Sequence, residues 1–227
     1  MGGYSKSKVD DSEYLIISPD SARIYVDDNY ASSGGFAIGT AGNTKSSSQF
    51  IYLTPENYRI GHRAGDMLTT GRYNSFLGYE AGASVTTGTG NVFLGYKAGT
   101  NTTGPAPGLA GYGSLNVFVG YLSGHSNVEG FANVFIGDRA GYENIDGTNS
   151  IFIGNSAGYS NKMSSGNIFI GRDAGYNSTE YGNTIIGHSA GESMTEGNSN
   201  VFLGSYAGAA RTEGAANVIV GSGASNM

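Results

Sequence analysis

The sequence has no cysteine and no tryptophan, four prolines in 227 residues, and only 13% charged side chains. Lacking thiols, it can build neither a disulfide framework nor a thiolate metal site, and its redox compartment stays unread. Charge is at about half the ~25% usual for globular chains. Its 12 basic and 18 acidic side chains leave a net of −6, with no block of one sign. That excludes the basic footprint that nucleic-acid binding needs. No apolar run approaches the roughly 18 residues that cross a bilayer, and the opening MGGYSKSKVD lacks the apolar core of a signal peptide. The chain reads as a soluble segment of a longer polypeptide, with no membrane insertion of its own. Histidine is scarce too: His62, His125 and His188 are far apart in the chain, so no two imidazoles can share a proton or a metal. With no Ser-His-Asp clustering and no phosphate-cradling loop ahead of a helix, no catalytic, cofactor-binding or metal residue is assigned, and the chain is not expected to be an enzyme.

What is abundant is glycine, 39 residues, and it is periodic. Asn133 to Gly141, NVFIGDRAG, has copies starting at Asn74, Asn91, Asn116, Ser150, Asn167, Asn183, Asn200 and Asn217, and a worn copy at Asn57. The shared glycines from Gly61 to Gly221 are spaced 17 residues apart seven times, 16 once and 25 once. Such regularity marks stacked units that cannot bury an apolar face singly. The 25-residue interval holds an insertion around Gly104 to Gly111, GPAPGLAG, which leaves the stack intact if it loops outward onto the surface.

Within each unit Asn-x-Phe-x-Gly is β-branched or aromatic between its ends and too short for a helix. Two variable residues, Ala-Gly, a second short stretch often headed by tyrosine, and a Gly/Thr/Asn/Ser loop follow. Glycines at the corners let the chain turn where a Cβ would be penalised. Each unit is therefore expected to be one coil of two short strands, stacked about 4.8 Å from the next through parallel backbone hydrogen bonds. The fold class is all-β: a parallel β-roll, or short-period β-solenoid, of about ten coils over residues 57–227. The asparagines heading nine of ten units are expected to form a structural amide ladder.

Residues 1–56 lie outside the strict repeat. Tyr14 to Ile24 (YLIISPDSARI) and Tyr52 to Ile60 (YLTPENYRI) share an apolar pair, a Ser/Thr-Pro-acid turn and Arg-Ile, which reads as strand, turn, strand. Phe36 to Gly39 supplies further strand. The region is read as an N-terminal β cap that shields the first coil, or as a docking module for a preceding segment.

Alternate side chains of a strand face opposite sides, and here both sides are apolar. One file is Val, Ile and Leu, such as Val134 and Ile136. The other is Phe76, Phe93, Phe118, Phe135, Phe152, Phe169 and Phe202, completed by Ile185 and Ile219. A strand with one wet face should alternate apolar with polar, so both faces need cover. A 17-residue coil encloses one file, backed by the small alanines from Ala81 to Ala207. A row of phenylalanines left outside would exceed the patch that monomers expose. The phenylalanines are accordingly taken as the structural file of the core or of a trimer interface, in a parallel homo-oligomer. Alternation alone leaves open which file faces the oligomer axis.

The units NSFLG, NVFIG and SIFIG, each followed by x-x-Ala-Gly, resemble the head repeats of trimeric autotransporter adhesins and related phage and bacterial surface-fibre β-rolls. The resemblance covers residues 57–227, with a longer period and with Phe where that family carries a smaller residue. It implies a left-handed parallel β-roll, three rolls about one axis, an extracellular or cell-surface location, and adhesion to host or matrix surfaces. A phage or injection-system tail-fibre segment would need the same rod. A hexapeptide acyltransferase fits less well, since only a third of each unit matches its repeat. Candidate adhesive residues are Tyr79, Tyr96 and Tyr121 after the strand glycine, and Tyr142, Tyr159 and Tyr176 after Ala-Gly, which stacking places in rows. Tyrosine pairs an apolar ring with a polar tip and suits glycan, matrix or host-protein contact. No cofactor is expected.

Overall fold

The computed structural model describes residues 50–104 and 111–224, and the backbone of four short strands nearer the N-terminus. Fifteen strands and no helix occur among the described residues. Ser7–Lys8 (β1), Glu13–Ser18 (β2) and Ser21–Val26 (β3) make a three-stranded sheet in which β2 and β3 pair antiparallel. This is the first of the two strand-turn-strand units read from sequence. A second sheet, of twelve strands, begins with Phe36–Ile38 (β4), Ile51–Leu53 (β5) and Asn57–Ile60 (β6), each antiparallel to the next.

From β6 every further strand is parallel to the one before. They are Asn74–Leu77 (β7), Val92–Leu94 (β8), Val117–Val119 (β9), Val134–Ile136 (β10), Ile151–Ile153 (β11), Ile168–Ile170 (β12), Thr184–Ile186 (β13), Val201–Leu203 (β14) and Val218–Val220 (β15). Equivalent repeat positions pair directly, as in Phe135 with Phe152 and Phe152 with Phe169. The chain is thus a parallel β-solenoid of about nine turns with a period near 17 residues. The stack crosses the long interval without a break, Phe93 pairing with Phe118. Most of the insertion, 105–110, lies outside the described residues.

Each coil holds one strand, where the sequence reading expected two. The x-x-Ala-Gly side cannot extend, because Arg139 (φ 52) and Gly141 (φ 59) and their equivalents are left-handed. The coils still bond there: Gly141 N donates to Ala157 O at 3.0 Å, Glu143 N to Tyr159 O at 2.9 Å and Ile145 N to Lys162 O at 2.7 Å. The second ladder is made of turns.

The interior is a narrow tube. All seven phenylalanines of the file point into it and none is exposed by more than 1%. The rings stack 4.6 to 5.2 Å apart, backed by the fully buried Ala81, Ala98, Ala140, Ala157 and Ala174. The possibility that the phenylalanines form the outer, oligomer-facing file is therefore overturned. The reason is steric. A coil this narrow admits a ring because Ala-Gly faces it, and a Cβ on Gly141 would lie 2.5 Å from the Phe135 ring. At the other corner Gly137 (φ 141) packs against the next coil so closely that a Cβ would meet Gly154 O at 2.3 Å.

The asparagine ladder stands as expected. Asn74, Asn91 and Asn116 are fully buried. Asn91 donates through Nδ2 to Asn74 Oδ1 (3.1 Å) and to Gly113 O (3.0 Å), and its own Oδ1 accepts from Asn116 N (3.0 Å). Both donors and the acceptor of the Asn91 amide are thus used, as burial favours. At the first coil Arg59 takes the phenylalanine position. Its guanidinium lies 4.2 Å from the Tyr52 ring centroid and donates to Gly65 O at 2.8 Å. Burial, partly offset by Tyr52 and Asp66, lowers its pKa from the ordinary value.

Candidate functional site

Because the phenylalanines turn inward, the aliphatic file turns outward. Along β6 to β15 the outward positions carry Val, Ile or Leu except at Tyr58, Ser75 and Thr184, and none carries a charge. Leu94, Ile136, Ile151 and Leu203 are exposed by 40, 36, 36 and 45%. Their neighbours Val117, Val134, Ile168 and Ile170 are half-buried by flanking coils. At about 4.8 Å per coil the strip is on the order of 45 Å long and 10 Å wide. An area of roughly 450 Å² matches the largest, often functional, patch on a monomer. No charged side chain interrupts the strip along these strands.

The two tyrosine rows assemble as the repeat register requires. Tyr79, Tyr96 and Tyr121 stack with centroids 5.4 and 5.2 Å apart and rings within 10° of parallel. All three are exposed. Tyr142, Tyr159 and Tyr176 stack at 5.1 and 4.9 Å, with His125 beneath Tyr142 at 5.0 Å. This second row is half-buried. Burial, then the neighbouring phenols Tyr176 and Tyr142, pushes the Tyr159 pKa up; burial, then Lys97, pushes that of His125 down.

In both rows the ring faces are turned to one another, so each row presents edges and hydroxyls. Faces free to stack on a sugar ring occur only at the row ends, and the upper end of the first row is met by the Arg139 guanidinium, 5.5 Å from Tyr121. Beside that row Glu80 bridges the coils below and above by pairing with Arg63 and, at 3.4 Å, with Lys97.

His62, His125 and His188 stay apart: His62 meets Phe50 at 5.3 Å, and His188 meets Tyr206 edge-on at 5.0 Å. Among the described residues no three His, Cys, Asp or Glu side chains gather as a metal site. Nor, among the described residues, is any helix long and apolar enough to cross a membrane.

Sequence reasoning missed a second interior column: Leu68, Val85, Thr102, Asn127, Asn144, Asn161, Ser178 and Met194, all buried. Apart from the run Asn127, Asn144 and Asn161, their chemistry changes along the stack, so no letter marks the whole column. Only alignment by period shows the position, which Arg211 occupies in the coil after Met194.

Compared with known proteins, the chain matches no family model, no curated protein and no solved structure.

Proposed function

We propose that residues 57–227 are a rigid structural and adhesive segment of an extracellular fibre, in which three parallel copies pack through their aliphatic strips. The observation that carries this is the outward file, uncharged along β6 to β15 and Val, Ile or Leu at every position but Tyr58, Ser75 and Thr184. A parallel arrangement about a threefold axis lets each coil meet its own equivalents, so one repeat solves the interface along the whole rod. The resemblance of NVFIG-x-x-Ala-Gly units to adhesin head repeats supports the same reading.

Adhesion follows from rigidity and repetition. Two tyrosine rows on each of three chains present hydroxyl-tipped edges at fixed spacing, and weak contacts add through effective concentration. Edges and hydroxyls suit hydrogen bonding to a matrix or host protein, or to glycan hydroxyls, better than face-on stacking against a pyranose. The test is binding of the full chain to immobilised matrix proteins and glycans, with Tyr96→Ser and Tyr159→Ser combined. Retention on one of those surfaces, lost in the double variant while its sedimentation is unchanged, is the expected result. Equal retention of both proteins would remove the tyrosines from the adhesive role.

A further inference from the structure

We infer that the two tyrosine rows are sites of oxidative cross-linking, where adjacent coils are joined through dityrosine by a one-electron oxidant of the peroxidase and hydrogen peroxide class. The inference stands on ring geometry and does not depend on the fibre reading. Four tyrosine pairs, Tyr79–Tyr96, Tyr96–Tyr121, Tyr142–Tyr159 and Tyr159–Tyr176, hold their rings 4.9 to 5.4 Å apart and within 16° of parallel. The chain has neither tryptophan nor cysteine, so no indole or thiol competes as electron donor, and tyrosine is the first side chain a one-electron oxidant meets. Exposed methionines such as Met67 and Met163 take the separate path to sulfoxide.

The step balances. Each of two neighbouring phenols gives up one electron and one proton. The two radicals form a carbon–carbon bond between ring carbons ortho to oxygen, and each ortho hydrogen then moves to its oxygen, restoring both phenols. The pair of electrons and protons reduces one peroxide to two waters. A radical on Tyr96 has a second phenol on either side at contact distance, an effective concentration far above that of a dilute protein. Exposed tyrosines outside the rows provide internal controls. Tyr73 and Tyr181 are more exposed than any row member, and Tyr112 meets Phe131 edge-on rather than a tyrosine.

The consequence is covalent stiffening without cysteine. A Tyr96–Tyr121 link would also close the long interval that carries the insertion. Each such closure restricts the unfolded chain as a disulfide does.

The experiment is peroxidase and hydrogen peroxide on the dilute native full chain, read by dityrosine fluorescence and by mass spectrometry of cross-linked peptides. Links should map to the four row pairs, each with loss of two hydrogens, and unfolding of the linked protein should shift to higher temperature. Tyr96→Phe with Tyr159→Phe, which keeps the stacking, should reduce row-pair links at least tenfold. Tyr73→Phe with Tyr181→Phe should leave them unchanged. Mapping on the unsubstituted chain in denaturant, where row preference must vanish, covers a variant that fails to fold. Links spread evenly over Tyr73, Tyr112 and Tyr181, or chiefly between identical residues of two chains, would overturn the inference.

Discussion

Ile151, Phe152 and Ile153 are consecutive, all apolar, and in one strand, yet Phe152 is sealed while Ile151 is 36% exposed. The difference separates two kinds of hydrophobic residue. The inner column is satisfied by its own coil, and the outer file is paired only with itself. The fold of one chain rests on the first, and the assembly we propose rests on the second. Substitutions in the two should therefore have opposite signatures, one in unfolding and the other in mass.

The largest effect on folding is expected from Phe152→Ala. Neighbouring coils cannot collapse into the gap, because their rings stack above and below, so a loss of about 3–5 kcal/mol is expected. Denaturant titration checks it, and a midpoint unchanged from the parent chain would break the contrast at its root. Asn91→Ala comes next. It takes the side-chain partner from Asn116 N–H and from Gly113 O in the sealed interior, while Asn74 Oδ1 keeps the Asn91 backbone N–H, at a cost of about 1–3 kcal/mol, readable in the same titration. On the outer face, Leu94→Ser with Ile136→Ser should lower intrinsic coil stability by much less than Phe152→Ala while reducing the mass in sedimentation to that of one chain. A double variant that unfolds instead would show that the outer file serves the coil.

The smallest expected effect is on pH dependence. The folded state holds the His125 imidazole below its ordinary range, so on acidification the unfolded chain binds its proton first. The contribution to stability is whole above about pH 6.5, the unfolded value, and is lost as pH falls towards the lower folded one. His125→Phe keeps the ring on Tyr142 and should flatten the stability curve below that pH. A curve as steep as the parent's would place the acid sensitivity elsewhere.

Much of the fold was legible because the repeat repeats letters as well as spacing. Asn-x-Phe-x-Gly announces strand, register and amide ladder together, and the Pro-acid turns at Pro19 and Pro55 announce two hairpins. What stayed hidden had physical reasons. Alternation defines two faces without saying which is inside. The deciding fact is that Ala140 and Gly141 leave room for a ring, a contact between segments that no strand pattern records. The second strand was misread because Arg139 and its equivalents take left-handed φ without being glycine. The tyrosine rows were legible as rows from their spacing, but that their faces are mutually covered is visible only in three dimensions.

The most direct test of the outer strip's role is the mass of the purified chain by light scattering at micromolar concentration. Three times the 23.4 kDa of one chain is the expected result, and a stable 23.4 kDa particle with its aliphatic strip in water would contradict it.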